Sequence, residues 1–537
     1  MKALNIRLPL FEIASFFAMT LILVSCAQIV PLTGGDKDVN APKEVESTPI
    51  NGATNFTETT IVVEFDEFIK LNNLSNQLIT SPLMETTPEI VVKGKKLVIK
   101  IESELSENTT YSLNFGNAIS DITENNDTNY KYVFSTGSYI DSLSYSGRVV
   151  NSFDLKPQEK IYVLLYDQFE DSVPLKERPR YVALTDKEGV FSITNIAKGE
   201  YKFFAINDIN SNYLFDLPNE EIAFKSETIQ IDSASTDNVI YLFEEESGLQ
   251  FLDKAENKEY GKIDIVLNRP TENLIITPLN QHFKKAWYIQ DKNDTGDSLT
   301  LWLLVQDAFD NLDIEIKDGD NVIDTANVQI MQSEDFNDTT LQVSTNANGS
   351  FDLNQNINIK MVRPSTLEKN GNILLYEDSV LVQNAICNPI ELTKFELAYD
   401  FKENTEYDLF ILPGTFEDIL GLKNDTLHSK FKTKKESDYG IINLTVTPNF
   451  SENYIIELYK KDKLIKKSFL QDSADIKYNY LLPGEYKMKL IIDGNNDQQW
   501  NTGNYIKGLQ PEKVIFYEKE IKIRANWDND ISWIIKE

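Results

Sequence analysis

Apolar and polar residues alternate at period two through most of the chain, in short runs separated by turn residues. "TTIVVEFDEFI", "KKLVIKI", "KIYVLLY" and "KVIFYEKEIKI" are rich in β-branched and aromatic side chains, which suit a pleated, half-buried strand. "VKGKK", "DKEG" and "DGD" stand between such runs and break them. Beyond the N-terminal segment no long stretch shows a helical period. Many short strands with frequent turns predict an all-β chain of tandem β-sandwiches. In "FSITNIAKGEYKFFAI", Phe191, Ile193 and Ile196 are the inward candidates of one strand. Tyr201, Phe203 and Ala205 share one face of the next.

The first residues follow a different pattern. Lys2 and Arg7 precede an apolar run from Ile13 to Val24. That run is shorter than the roughly 20 residues of a membrane helix and suits the apolar region of a signal peptide. "LVSC", ending at Cys26, resembles the lipobox of bacterial lipoproteins. The resemblance implies cleavage before Cys26 and a lipid on it, so that 1–25 is the signal and 26–42, rich in Pro, Gly and Asp, a tether. The other reading is a plain secretory signal with a chance cysteine. Surface-exported lipoproteins of Bacteroidota often carry acids directly after the cysteine, whereas here the first are Asp36 and Asp38. The expected location is the outer membrane, on the cell surface rather than the periplasmic face.

At 537 residues the chain is too long for one core. Residues 43–137, with "IVVEFDEFIKL", "ENTTYSLNFGNAISDITENN" and "YVFSTG", resemble the bacterial Ig-like domain of Bacteroidota lipoproteins. Residues 138–245, with "KIYVLLYD" and "YVALTDKEGVFSITNIAKGEYKFFAIND", resemble transthyretin-like or carboxypeptidase-regulatory-like sandwiches. Residues 246–345 are β-rich and of no evident type. "ENTEYDLFILPGTFEDILGLKNDT" repeats the first pattern in 346–436, and "LLPGEYKMKLIIDGNND" repeats the second in 437–537. A two-part unit used twice, with one domain between, predicts an elongated array with large side surfaces.

The formal charge of −32 disfavours nucleic acid, whose phosphates it repels. With Cys26 lipidated, Cys387 has no disulfide or zinc partner and is expected to be a small buried hydrophobe.

The charge also draws attention to two oxygen-rich loops, each nine residues after a Gly-Glu-Tyr: "DINSNYLFD" and "DGNNDQQWN". They align Asp208 with Asp493, Asn210 with Asn495, Asn212 with Asp497, and Asp216 with Asn501. The D-x-N-x-[DN] spacing is one that Ca²⁺ uses, and Glu220 or Glu221 could close the first site. Position six is Tyr213 or Gln498 instead of Gly, and position twelve Asn219 or Asn504 instead of Glu. The other reading is a pair of hairpin loops whose Asp and Asn cap their own backbone.

Catalytic signatures are sparse. The two histidines, His282 and His428, fall in no metalloprotease spacing, and no G-x-S-x-G or phosphate loop occurs. "FDEF" at 65–68 reads as structural. Trp500, Trp527, Trp533, Tyr505 and Tyr517 crowd the last stretch. They are expected to fill the last core and dock the C-terminal segment, or else to present stacking surfaces. Asp-[Ser/Thr] pairs followed by a small or apolar residue recur at Asp141, Asp171, Asp232, Asp297, Asp324, Asp338, Asp378, Asp425 and Asp472. They resemble O-glycosylation sites of exported Bacteroidota proteins. Together these features predict a non-catalytic lipoprotein scaffold, an accessory subunit of an envelope complex with an integral β-barrel and other envelope proteins as partners. The alternative is a surface glycan-binding or adhesion protein.

Overall fold

A computed structural model describes residues 38–246, 248–271, 273–293, 295–305, 309–449 and 452–535. Cys26 and its tether lie outside this range apart from the last residues before 43. The chain forms two compact units, Met1–Ser142 and Leu143–Glu537. Both are built almost wholly of strands, as the period-two pattern predicts.

In the first unit, Glu44–Thr48, Thr60–Phe65, Lys96–Lys100 and Glu89–Lys93 make a four-stranded antiparallel sheet. Lys131–Ser135, Thr110–Asn114 and Ile79–Ser81 make a second. Alternation puts Ile61, Val63 and Phe65 of one strand and Leu97 and Ile99 of the next into a shared core. Aromatic rings supply the opposite wall, with Tyr111 stacked on Phe134 at 5.4 Å. In "FDEF", Phe65 is core, Phe68 is exposed, and Asp66 Oδ1 accepts the Lys43 N–H, so the motif is structural.

Among the described residues the second unit holds four large cores and a small cluster of Ile455, Ile491 and Val514. In the first of them, strand Tyr162–Tyr166 pairs antiparallel with Gly199–Ile206, and Leu143–Asn151 runs parallel to Ser235–Glu244. Phe191, Ile193, Ile196, Tyr201, Phe203 and Ala205 all point into this core. The last core repeats the plan: Asn453–Lys460 pairs with Gly484–Asp493, and Gly440–Pro448 runs parallel to Asp528–Ile535. The tyrosine of each Gly-Glu-Tyr has the same task. Tyr201 donates its hydroxyl to the Ala197 carbonyl at 2.9 Å, and Tyr486 to the Leu482 carbonyl at 2.7 Å, each four residues upstream. The bond locks the turn that launches the long central strand while the ring stays in the core.

The other repeat is equally detailed. In the first unit the Ser106 N–H donates to the Tyr111 hydroxyl and Thr136 Oγ1 to the Ser106 carbonyl, at 2.9 and 2.8 Å. At 346–436 the Lys402 N–H donates to the Tyr407 hydroxyl and Thr433 Oγ1 to the Lys402 carbonyl, at 3.0 and 2.5 Å. The shared "ENT-x-Y" letters encode this corner. Between the repeats, Lys262–Leu267, Ser298–Leu303 and Asn311–Asp318 contribute to a two-sheet core of their own. Cys387 is buried in the strand Ile386–Glu391 and desolvation pushes its thiol up to about 11, as expected of a small hydrophobe.

Gly147 sits where two parallel strands meet, and a Cβ there would lie 2.1 Å from the Asn238 carbonyl oxygen. Gly147→Ala is therefore expected to destabilise the second unit by about 2 kcal/mol or more in chemical denaturation; a change within about 0.5 kcal/mol would contradict the tight strand register.

Candidate functional site

The two oxygen-rich loops leave their sandwiches from equivalent strand ends, after Ile206 and at Asp493. Their tips are built alike. Asp208 accepts the N–H groups of Asn212 and Tyr213 at 3.3 and 2.6 Å. Asp493 accepts those of Asp497 and Gln498 at 3.1 and 3.0 Å. Ser211 and Tyr213 have left-handed backbone, with φ of 59° and 65°, and Asn496 and Gln498 match them at 60° and 66°. Both carboxylates thus sit in a curl of backbone N–H donors.

Each loop is closed by a glutamate. Glu220, only 1% exposed, accepts the N–H groups of Ile209, Asp216 and Leu217 at 3.2, 3.0 and 3.1 Å. Glu512 accepts those of Gly494 and Asn501, both at 2.9–3.0 Å. Glu512 is a site residue that sequence reading missed, because it follows Asp493 by nineteen residues while Glu220 follows Asp208 by twelve. Burial pushes the Glu512 carboxyl up, against its two backbone hydrogen bonds, and the charges of Asp493 and Asp497 add to the rise. For Asp497 burial acts upward too, but hydrogen bonds from Asn501, the Gln499 N–H and Asn495 outweigh it and hold the carboxyl low.

The structure does bring together the residues singled out by spacing. Asn210 and Asn212 donate their amides to Asp216 at 3.1 and 2.8 Å. Asn495 donates to Asp497 and Asn501, and Asn501 donates to Asp497, at 2.9–3.1 Å. Glu221 lies apart from this cluster and accepts the Asn207 amide. The amide N–H groups, and not the oxygens, of the asparagines thus face the central carboxylates, and the oxygens of Asp208 and Glu220 are taken by backbone donors. Among the described residues no group of three or more His, Cys, Asp and Glu is placed to hold a metal ion. A calcium ion would need the asparagine oxygens turned inward, in place of the amide N–H groups that face the carboxylates here.

The extra residues of the second loop do something else. Ten residues separate Asn501 from Glu512, where three separate Asp216 from Glu220. They form an arm that reaches the first Gly-Glu-Tyr sandwich. Thr502 Oγ1 donates to the Glu244 carbonyl at 2.5 Å, the Tyr505 N–H to the Glu245 carboxylate, and the Tyr505 hydroxyl to the Asp171 carbonyl at 2.6 Å. Gln510 Nε2 donates to the Phe224 carbonyl at 3.0 Å. The Tyr505 ring sits edge-on to Phe204 and Phe224, at 5.3 and 5.1 Å. Trp500 meets Phe153 at 5.0 Å, and the ring of Phe153 also covers Lys489 Nζ at 3.4 Å. Lys489 is buried with its partner Glu457 at 2.8 Å, so this contact seals a desolvated ion pair.

The aromatic crowding near the C-terminus therefore resolves into separate tasks. Trp533 is core, Tyr517 packs against it, and Trp527 is exposed. Trp500 packs on Ile455, Ile491 and Val514 of the last sandwich, as expected, and also meets Phe153, whereas Tyr505 leaves the last core and joins two sandwiches. His428 stacks on Phe410 at 4.1 Å and lies 2.8 Å from Asp408, on an exposed strand. Its hydrogen bond is the main cause of the lowered Asp408 carboxyl.

The class these observations define is an all-β protein of tandem β-sandwiches, Ig-like where its first unit matches. Residues 38–136 match the family model of the bacterial Ig-like domain. The comparison with curated proteins found no match. Among solved structures the chain is similar to the major pilin subunit of Bacillus cereus, at 11% identity over 73% of this chain and 99% of that one, with a TM-score of 0.14. It is also similar to the surface-layer protein SbsC, at 9% identity over 90% and 67% of the two chains, with a TM-score of 0.14. An I-band fragment of titin aligns at 10% identity over 54% and 100%, with a TM-score of 0.13. At these scores the alignments carry no functional argument.

Two outcomes check this site. A Cβ on Gly503 would lie 2.6 Å from the Phe243 ring and 2.8 Å from the Leu509 carbonyl oxygen. Gly503→Ala should therefore raise amide hydrogen exchange across 502–510 by about tenfold or more, while the two sandwich cores keep their protection. Unchanged exchange would contradict the docking. Millimolar Ca²⁺ should leave the melting temperature of the whole chain within about 1 °C, since N–H donors already close both loops; a rise of several degrees would mean that the asparagines turn to ligate.

Proposed function

We propose that the chain is a non-catalytic lipoprotein scaffold, held at the outer membrane of a Bacteroidota envelope by a lipid on Cys26. It serves as an accessory subunit of an envelope complex, such as one for β-barrel assembly, secretion or uptake. In this reading the two Gly-Glu-Tyr sandwiches are transthyretin-like or carboxypeptidase-regulatory-like, and the stretch at 346–436 is a second Ig-like domain.

The observation that carries the proposal is the arm at 502–510. Its polar and aromatic groups are spent on joining one sandwich to another. Polar and aromatic contacts between domains hold surfaces in a defined relation, which is what a scaffold needs. The lipobox-like "LVSC" and the Ig-like match over 38–136 support the anchored, extracytoplasmic setting.

Two measurements on the native host test it. Mild-detergent purification of the full-length protein should bring down an integral β-barrel, and Cys26→Ala should move the protein from the membrane to the soluble fraction. Recovery of the protein alone, or an unchanged membrane fraction for the variant, would overturn the proposal.

A further inference from the structure

The arm does more than close a contact. Where it meets the first Gly-Glu-Tyr sandwich and the start of the next domain, it borders a cleft of about 830 Å³. Among the described residues, five carboxylates line this cleft, those of Asp154, Glu221, Glu244, Glu245 and Glu246, and no basic residue does. Asp154 is paired with Lys156 at 2.7 Å. Among the described residues no ion pair reaches the other four. Their crowding has a cost: burial and the neighbouring Glu221 charge push the Glu244 carboxyl up.

Two further features point to a ligand. Ser152 lines the cleft, is 3% exposed, and its hydroxyl has no hydrogen-bond partner. An unsatisfied buried hydroxyl is costly, and a ligand N–H would satisfy it. Phe251 and Trp500 also line the cleft, beside Phe153, whose ring covers Lys489.

The geometry points to this cleft as a binding site for a cationic, extended peptide segment of a partner protein, with lysine or arginine side chains set among the glutamates and against the rings. Aromatic faces attract ammonium and guanidinium groups, and carboxylates that hold no ion pair attract them further. A metal ion would use neither the rings nor so large a volume. A neutral sugar would stack on the rings but would do nothing to relieve the like charges. The inference holds wherever the chain is anchored, because it concerns the purified protein alone.

The test is calorimetric titration of the whole chain from Cys26 onward with hexalysine, in parallel with hexaglutamate. Two variants each remove two charges: E244Q/E246Q in the cleft, and E58Q/E85Q at exposed acids of the first unit. Hexalysine should bind the unaltered protein, lose about tenfold or more in affinity with E244Q/E246Q, and be unaffected by E58Q/E85Q; hexaglutamate should not bind. Equal weakening in both variants would mean general attraction to an acidic surface and would overturn the site. So would no binding of hexalysine at millimolar concentration. Calcium chloride binding that E244Q/E246Q abolishes, with no hexalysine binding, would assign the cleft to a metal ion and overturn it as well. Circular dichroism of both variants, unchanged from the parent, excludes misfolding as the cause of any loss.

Discussion

Each oxygen-rich loop exposes more backbone N–H groups than it can hydrogen-bond within itself, and one glutamate carboxylate at its neck gathers them. Glu220 takes three and Glu512 two. Each spans the neck of its loop, so the strand before it and the chain after it leave in fixed directions. Asp208 and Asp493 do the same for the tip. With neck and tip both fixed, residues added between them must emerge as an arm of defined direction. Without that closure, Tyr505 would have no fixed path to Phe204 and Phe224.

The chain uses each of two sandwich designs twice, and the copies differ where length differs. The Ig-like corner at Tyr111 and its counterpart at Tyr407 keep the same donors and acceptors. The two Gly-Glu-Tyr sandwiches keep the tyrosine bond and the loop curl. The arm is an asymmetry that turns one copy into a clasp for the other. The buried pair Glu457–Lys489 lies beneath that clasp, and Phe153 closes it off from water.

Much of this was legible in the residues. Period-two alternation marked Phe191, Ile193, Tyr201 and Phe203 as core, and they are. The matching letters of the two loops predicted that their side chains converge, and they do. Two things were not legible. Glu512 escaped because an insertion breaks the spacing that would have paired it with Glu220. The destination of Tyr505 escaped because sequence marks an aromatic as apt for burial without naming the surface that buries it. Tyr505 is 8% exposed, so burial was rightly expected, but the rings around it belong to a sandwich nearly 300 positions earlier. The same applies to the acidic cleft, whose carboxylates come from separate stretches of the chain.

The central claim is that the arm joins the two Gly-Glu-Tyr sandwiches energetically as well as spatially. A double-mutant cycle between Tyr505→Ala and Phe224→Ala, read by denaturant unfolding of the whole chain, measures this directly. The account predicts a coupling of about 0.5–1.5 kcal/mol, as for aromatic pairs in edge contact. Additive losses, with no coupling beyond error, would contradict it.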